Sequence, residues 1–157
     1  MKARSIPASQ EIRVGTDLVW IPDIQASIAN FGDRYLQQLF CPEELYDCRG
    51  EEASRNASLA ARFAAKEALM KVLRPSRDTV LNWQNIQVLK RRDGSPELVL
   101  LAEAYNLARK AGVQQLTVSL SHEHEYASAT VLATCRKPLK NHRSSISLKE
   151  RDQESLL

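Results

Sequence analysis

From Ser58 to Arg74 the chain contains no glycine and no proline, and it is built largely from Ala, Leu, Met, Lys and Glu. These are strong helix formers, so the stretch is constrained to one long helix. At 3.6 residues per turn Leu59, Phe63, Met70 and Leu73 fall on one apolar stripe, with Glu67 at its edge. Glu67 and Lys71 stand four apart and share a face. A carboxylate and an ammonium at the rim of a buried stripe can hold a magnesium ion and a phosphate. The ordinary alternative is a solvated ion pair contributing a few tenths of a kcal/mol. Lys66 falls inside the apolar arc, where the ordinary reading is a buried stem with its head in water.

With 157 residues, 43% of them apolar, the chain suits one domain with a real core. No apolar run approaches a membrane span, and Met1 to Gln10 lacks the apolar block of a secretory signal. Cys41, Cys48 and Cys135 are odd in number and lack a Cys-x-x-Cys pattern, which points to free thiols in a reducing compartment. A soluble, cytoplasmic protein without membrane contact is expected. The net charge of +3 resides entirely from Arg136 onward, so the folded part has no basic excess. That argues against a nucleic-acid surface, which needs cations on structured elements.

The pattern divides into a polar leader (1–10), a folded domain (11–136) and a basic, Ser-rich tail (137–157) too poor in apolar residues to order itself. Glu11 to Val19 reads as a strand, and Trp20 to Phe31 alternates at helical spacing. Cys41-Pro42-Glu43-Glu44 reads as a helix start and Arg49 to Asn56 as an exposed loop. Pro75 ends the Ala-rich helix. Trp83 to Lys90 and Pro96 to Leu101 read as strands joined through Asp93-Gly94. Ala102 to Ala111 is a helix capped by Gly112, and Gln115 to Thr134 is a hairpin around a polar turn. The fold class is α+β, an antiparallel sheet packed against a long helix.

Three segments together carry a resemblance. They are Val14-Gly15-Thr16-Asp17 in the first strand, Arg62-Phe63-Ala64-Ala65-Lys66-Glu67-Ala68-Leu69-Met70-Lys71 in the helix, and Ser119-Leu120-Ser121-His122 in the last hairpin. Their combination resembles the 4′-phosphopantetheinyl transferases, specifically the single-copy holo-(acyl-carrier-protein) synthase type, over Ile12 to Ala133. The resemblance implies transfer of the phosphopantetheine arm of coenzyme A to a serine of an acyl or peptidyl carrier protein. Adenosine 3′,5′-bisphosphate is the other product. It also implies a homotrimer with sites shared between subunits. By the same likeness, Asp17 and Glu67 match the metal ligands and bind Mg²⁺, and Lys71 neutralises the diphosphate or protonates the leaving phosphate. Arg62 and Lys66 hold phosphate groups, the alternative for Arg62 being a solvated helix residue, and His122 contacts a neighbouring subunit's coenzyme A. The base that takes the serine proton is either Glu67 or a metal-bound water. A histidine in a turn is otherwise usually plain surface, the expectation for His124.

Two departures stand out. Where the family has a Gly-rich loop after the helix, this chain has Leu73-Arg74-Pro75-Ser76-Arg77-Asp78, and Asp23 stands where a carrier-docking arginine is typical. Two other readings compete. One is a different magnesium-dependent phosphoryl-transfer enzyme using Asp17 and Glu67; the other is a non-catalytic protein binding RNA or another acidic partner through its tail.

Overall fold

Alanine dominates the interior. In this computed structural model, which describes residues 10–136, helix α3 (Glu52–Leu73) buries Ala60, Ala61, Ala64, Ala65 and Ala68. It lies against a three-stranded antiparallel sheet of order β1-β5-β4, formed by β1 (Gln10–Trp20), β4 (Val113–Glu123) and β5 (Tyr126–Arg136). The central strand β5 turns Ala127, Ala129, Val131, Ala133 and Cys135 inward, all buried. Small residues on both sides let the helix and sheet backbones approach closely. Gly15 is the extreme point: a Cβ there would sit 2.0 Å from the Ala68 carbonyl oxygen.

Helix α1 (Ile21–Leu39) runs on from β1, with a break in helical geometry at Gly32 (φ 56°), and is followed by the short α2 (Pro42–Asp47). After α3 a 3₁₀ turn at Trp83–Asn85 leads into a separate two-stranded hairpin, β2 (Ile86–Lys90) and β3 (Pro96–Leu100). Helix α4 (Ala102–Lys110) then precedes β4.

The α+β architecture, the antiparallel sheet and the long helix match the sequence reading, with local corrections. The Arg49 to Asn56 stretch is not a loop throughout: α3 already starts at Glu52, and Asn56 is buried. Trp83 to Asn85 is helical rather than extended, with the Asn82 side chain accepting from Gln84 N–H at 3.0 Å. The helical stripe is also wider than expected. Leu69 and Val72 are fully buried, whereas Phe63 and Met70 are only half-buried. The final hairpin runs past the expected end at Thr134, and β5 takes in Cys135 and Arg136. Gln10, read as the end of the leader, already belongs to β1; the rest of the leader and the tail 137–157 lie outside the described residues. Among the described residues, no helix is long and apolar enough to cross a membrane.

Candidate active site

Strand alternation turns Arg13, Gly15, Asp17 and Val19 toward α3. Because Gly15 admits the helix so closely, Asp17 arrives beside the next turn of α3. Lys71 Nζ donates to Asp17 Oδ1 at 2.9 Å and to the Thr16 carbonyl at 2.6 Å. Its side chain is half exposed, so this pair adds little net stability. Glu67, one turn before Lys71, has its carboxyl pKa raised from the ordinary value. Desolvation is the main cause, the nearby Asp17 charge adds to it, and Lys71 opposes it.

Asp17, Glu67 and Lys71 therefore form one corner, in keeping with what the family resemblance implies. Two mutually repelling carboxylates favour a shared cation. Among the described residues no cluster of three His, Cys, Asp or Glu side chains could hold a metal. Two carboxylates, with water and substrate phosphate completing the shell, fit Mg²⁺ and not a structural zinc.

A second feature is a cleft of about 300 Å³ lined by Arg62, Lys90, Gly94, Pro96, His122 and Asp47. Arg62 is nearly buried. Its Nε donates to the Val88 carbonyl at 3.0 Å, Nη1 lies 3.4 Å from the Ser58 carbonyl, and Nη2 stands 3.8 Å from Asp47. His122 is in strand β4 opposite Ala127 rather than in a turn; the turn holds His124 (φ 52°). Arg62 and Glu67 are five residues apart on α3, roughly 140° around its axis. Within one chain the carboxylate corner and the cleft thus occupy different faces of the same helix.

A protein-family model described as the 4′-phosphopantetheinyl transferase superfamily matches residues 13–132, which takes in both β1 with Asp17 and the final hairpin with His122. The chain belongs to this superfamily. A holo-[acyl-carrier-protein] synthase of Dehalococcoides mccartyi is 42% identical over 119 residues, covering 76% of this chain and 95% of the relative. One of Moorella thermoacetica is 40% identical over 121 residues, covering 77% and 92%. Among solved structures, the ACPS–CoA complex of Chronobacterium ammoniagenes superposes with a TM-score of 0.72 at 32% identity, covering 81% of this chain and 99% of that one. The synthase of Helicobacter pylori in complex with coenzyme A gives 0.67 at 26% identity, covering 77% and 99%.

In this transferase Lys66 corrects the expectation that it meets phosphate. Both Lys66 and Glu44 are wholly buried, with Lys66 Nζ 2.8 Å from Glu44 Oε2, 2.5 Å from the Leu39 carbonyl and 3.0 Å from the Trp83 carbonyl. With all three donors occupied inside the core, it has none to offer a ligand, and its head is not in water either. Burial pulls the Lys66 ammonium down from its ordinary value, and the Glu44 charge holds it up. Glu44, Asp47 and Lys90 escape a reading of the sequence. Their importance depends on which backbone groups they meet, and the only local trace was the acidic first turn of α2.

Proposed function

We propose that this chain is a holo-(acyl-carrier-protein) synthase. It moves the 4′-phosphopantetheine group of coenzyme A onto a carrier-protein serine and releases adenosine 3′,5′-bisphosphate. The observation that carries the reading is the Asp17–Glu67–Lys71 corner, held at the closest approach of β1 and α3 inside a chain of this superfamily. The serine oxygen forms a bond to the phosphorus that bears the pantetheine, and the bond from that phosphorus to the bridging oxygen breaks. The bisphosphate leaves with its charge, and the serine proton passes to a base. Such chemistry depends mainly on positioning and charge neutralisation.

Asp17 and Glu67 are the groups that would hold Mg²⁺, which when bound would neutralise the diphosphate. Lys71 lies close enough to Asp17 to share that corner, and its ammonium offsets charge on the leaving phosphate or gives it a proton. Arg62, Lys90 and His122 supply the second anchoring region for the coenzyme.

A homotrimer with shared sites accounts for two further observations. The corner and the cleft lie on different faces of α3, so an elongated coenzyme is best engaged by two chains. The outer face of β1 also presents Ile12, Val14 and Leu18, each more than half exposed, in one apolar row. Rows of that kind mark association surfaces. The decisive experiment incubates the protein with coenzyme A, Mg²⁺ and a panel of apo carrier proteins. Mass spectrometry should find one phosphopantetheine added to a carrier serine, and neither Asp17→Ala nor Glu67→Ala should support the addition while remaining folded by circular dichroism. Transfer undiminished by excess chelator would remove the metal assignment.

A further inference from the structure

Among the described residues strand β2 has β3 on one side only, and on its other edge side chains take the place of a strand. Glu44 Oε1 accepts from Val88 N–H at 3.0 Å, and Asp47 Oδ2 accepts from Lys90 N–H at 2.8 Å. Arg62 Nε donates to the Val88 carbonyl at 3.0 Å. The match is geometric. Glu44 and Asp47 are three apart on α2 and share a face, while Val88 and Lys90 are two apart on β2 and direct their backbone groups to the same edge. Hydrogen bonds to ionised groups are roughly twice as strong as neutral ones, so these contacts hold the hairpin firmly. Because β2 and β3 are not part of the main sheet, they set where Lys90 and the Gly94–Pro96 turn stand relative to Arg62 and His122.

The two carboxylates differ in what else depends on them. Glu44 is wholly buried and also serves Lys66 and the Cys41 N–H, so its loss breaks the core. Asp47 sits at the rim, its side chain 22% exposed, and its partners are the Lys90 backbone and, at 3.8 Å, Arg62. We infer that Asp47 is a positioning residue for coenzyme binding: it pins the Lys90 end of β2 and restrains the Arg62 guanidinium, so that the wall of the cleft is preformed. The inference rests on the cleft being the coenzyme A anchoring region. It runs against simple electrostatics, because a carboxylate beside an anion's site repels the anion. If charge alone mattered, removing Asp47 would tighten binding. If positioning matters, losing its acceptor oxygen weakens binding.

Asp47→Ala removes both charge and acceptor, whereas Asp47→Asn removes the charge and keeps an oxygen for Lys90 N–H. Coenzyme A affinity is measured by calorimetry on the assembled protein, and KM and kcat by carrier modification. The expected result for Asp47→Ala is a Kd and KM raised about five- to tenfold, with kcat within about twofold, and Asp47→Asn within about twofold of the parent throughout. Amide hydrogen exchange should find Lys90 protected in the parent and in Asp47→Asn and accelerated about tenfold or more in Asp47→Ala. Affinity unchanged in Asp47→Ala, or equally tightened by both substitutions, overturns the proposal, as does fast Lys90 exchange in the parent. The two readings fail separately. Coenzyme binding that depends on Asp47 without any carrier modification sinks the transferase reading alone. Transfer that is indifferent to Asp47 sinks this inference alone, and absence of coenzyme binding sinks both.

Discussion

Adding one methyl group at Gly15 tests whether close contact between β1 and α3 builds the Asp17–Glu67–Lys71 corner and whether the proposed transfer depends on it. In Gly15→Ala the new Cβ would lie 2.0 Å from the Ala68 carbonyl oxygen, 3.0 Å from its carbon and 3.1 Å from Val72 Cγ2. A carbon and a carbonyl oxygen approach to about 3.3 Å. The strand and helix must therefore separate locally by roughly 1 Å, and because the nearest obstacle is backbone, no rotamer change relieves it. Overpacking of this kind costs about 1–3 kcal/mol, which a domain of ordinary stability, about 5–15 kcal/mol, survives. Catalysis is less tolerant. Asp17 is two residues along the same face of β1 and Glu67 immediately precedes Ala68, so the separation moves one carboxylate from the other. A misplacement of about 1 Å costs on the order of 100-fold in rate.

Gly15→Ala should thus lower the urea midpoint moderately, cut carrier modification on the order of 100-fold, and raise the Mg²⁺ concentration needed for half-maximal rate. Gly112→Ala is the control. It also clashes with backbone, 2.7 Å from the Arg136 carbonyl oxygen and at φ +76°, but it lies in the turn between α4 and β4. It should destabilise the protein and leave turnover per folded molecule unchanged. Full activity in Gly15→Ala, or an equal activity loss in Gly112→Ala, would refute the reasoning.

Lys66→Met leaves Glu44 buried without its cation and should cost about 3–5 kcal/mol in denaturant unfolding, with coenzyme affinity of the folded fraction unchanged; weaker coenzyme binding at full stability would return Lys66 to the phosphate site. Glu67 titrates above the unfolded carboxylate value of about 4.3, so the metal-free fold binds the extra proton and its stability falls as pH rises through the window up to the raised value. Mg²⁺ favours the charged form, so the Glu67 carboxyl resonance should titrate lower when Mg²⁺ is added, and an unmoved titration would remove Glu67 from the metal site. Leu18→Asp on the exposed row of β1 should give monomers in analytical ultracentrifugation and lose transfer, while mixing inactive His122→Ala and Glu67→Ala chains under subunit exchange should restore some of it. An active, stable monomer would dismiss the shared site.

Helical spacing placed Glu67 beside Lys71, whereas Asp17 was singled out only by the family resemblance of Val14-Gly15-Thr16-Asp17, and the packing of β1 on α3 brings it to Lys71. The same periodicities located the long helix, the Asp93-Gly94 turn and the final hairpin. Local pattern failed where burial came from distant segments. Lys66 looks like any helical lysine until Leu39, Glu44 and Trp83 close around its ammonium. Phe63 and Met70 lost the centre of the buried face to a row of alanines, because β5 opposes α3 with alanines of its own and close backbones exclude large side chains.

The sequence by itself determined the periodic faces, the turns and the Glu67–Lys71 pair on α3. Only the tertiary structure decided that Asp17 meets that pair, that Lys66 belongs to the core, and that Glu44, Asp47 and Arg62 dock the β2–β3 hairpin. Periodicity depends on neighbours within a turn or a pleat. Desolvation, close backbone approach and the satisfaction of edge N–H and C=O groups depend on residues tens of positions away, and they exist only once the layers have packed.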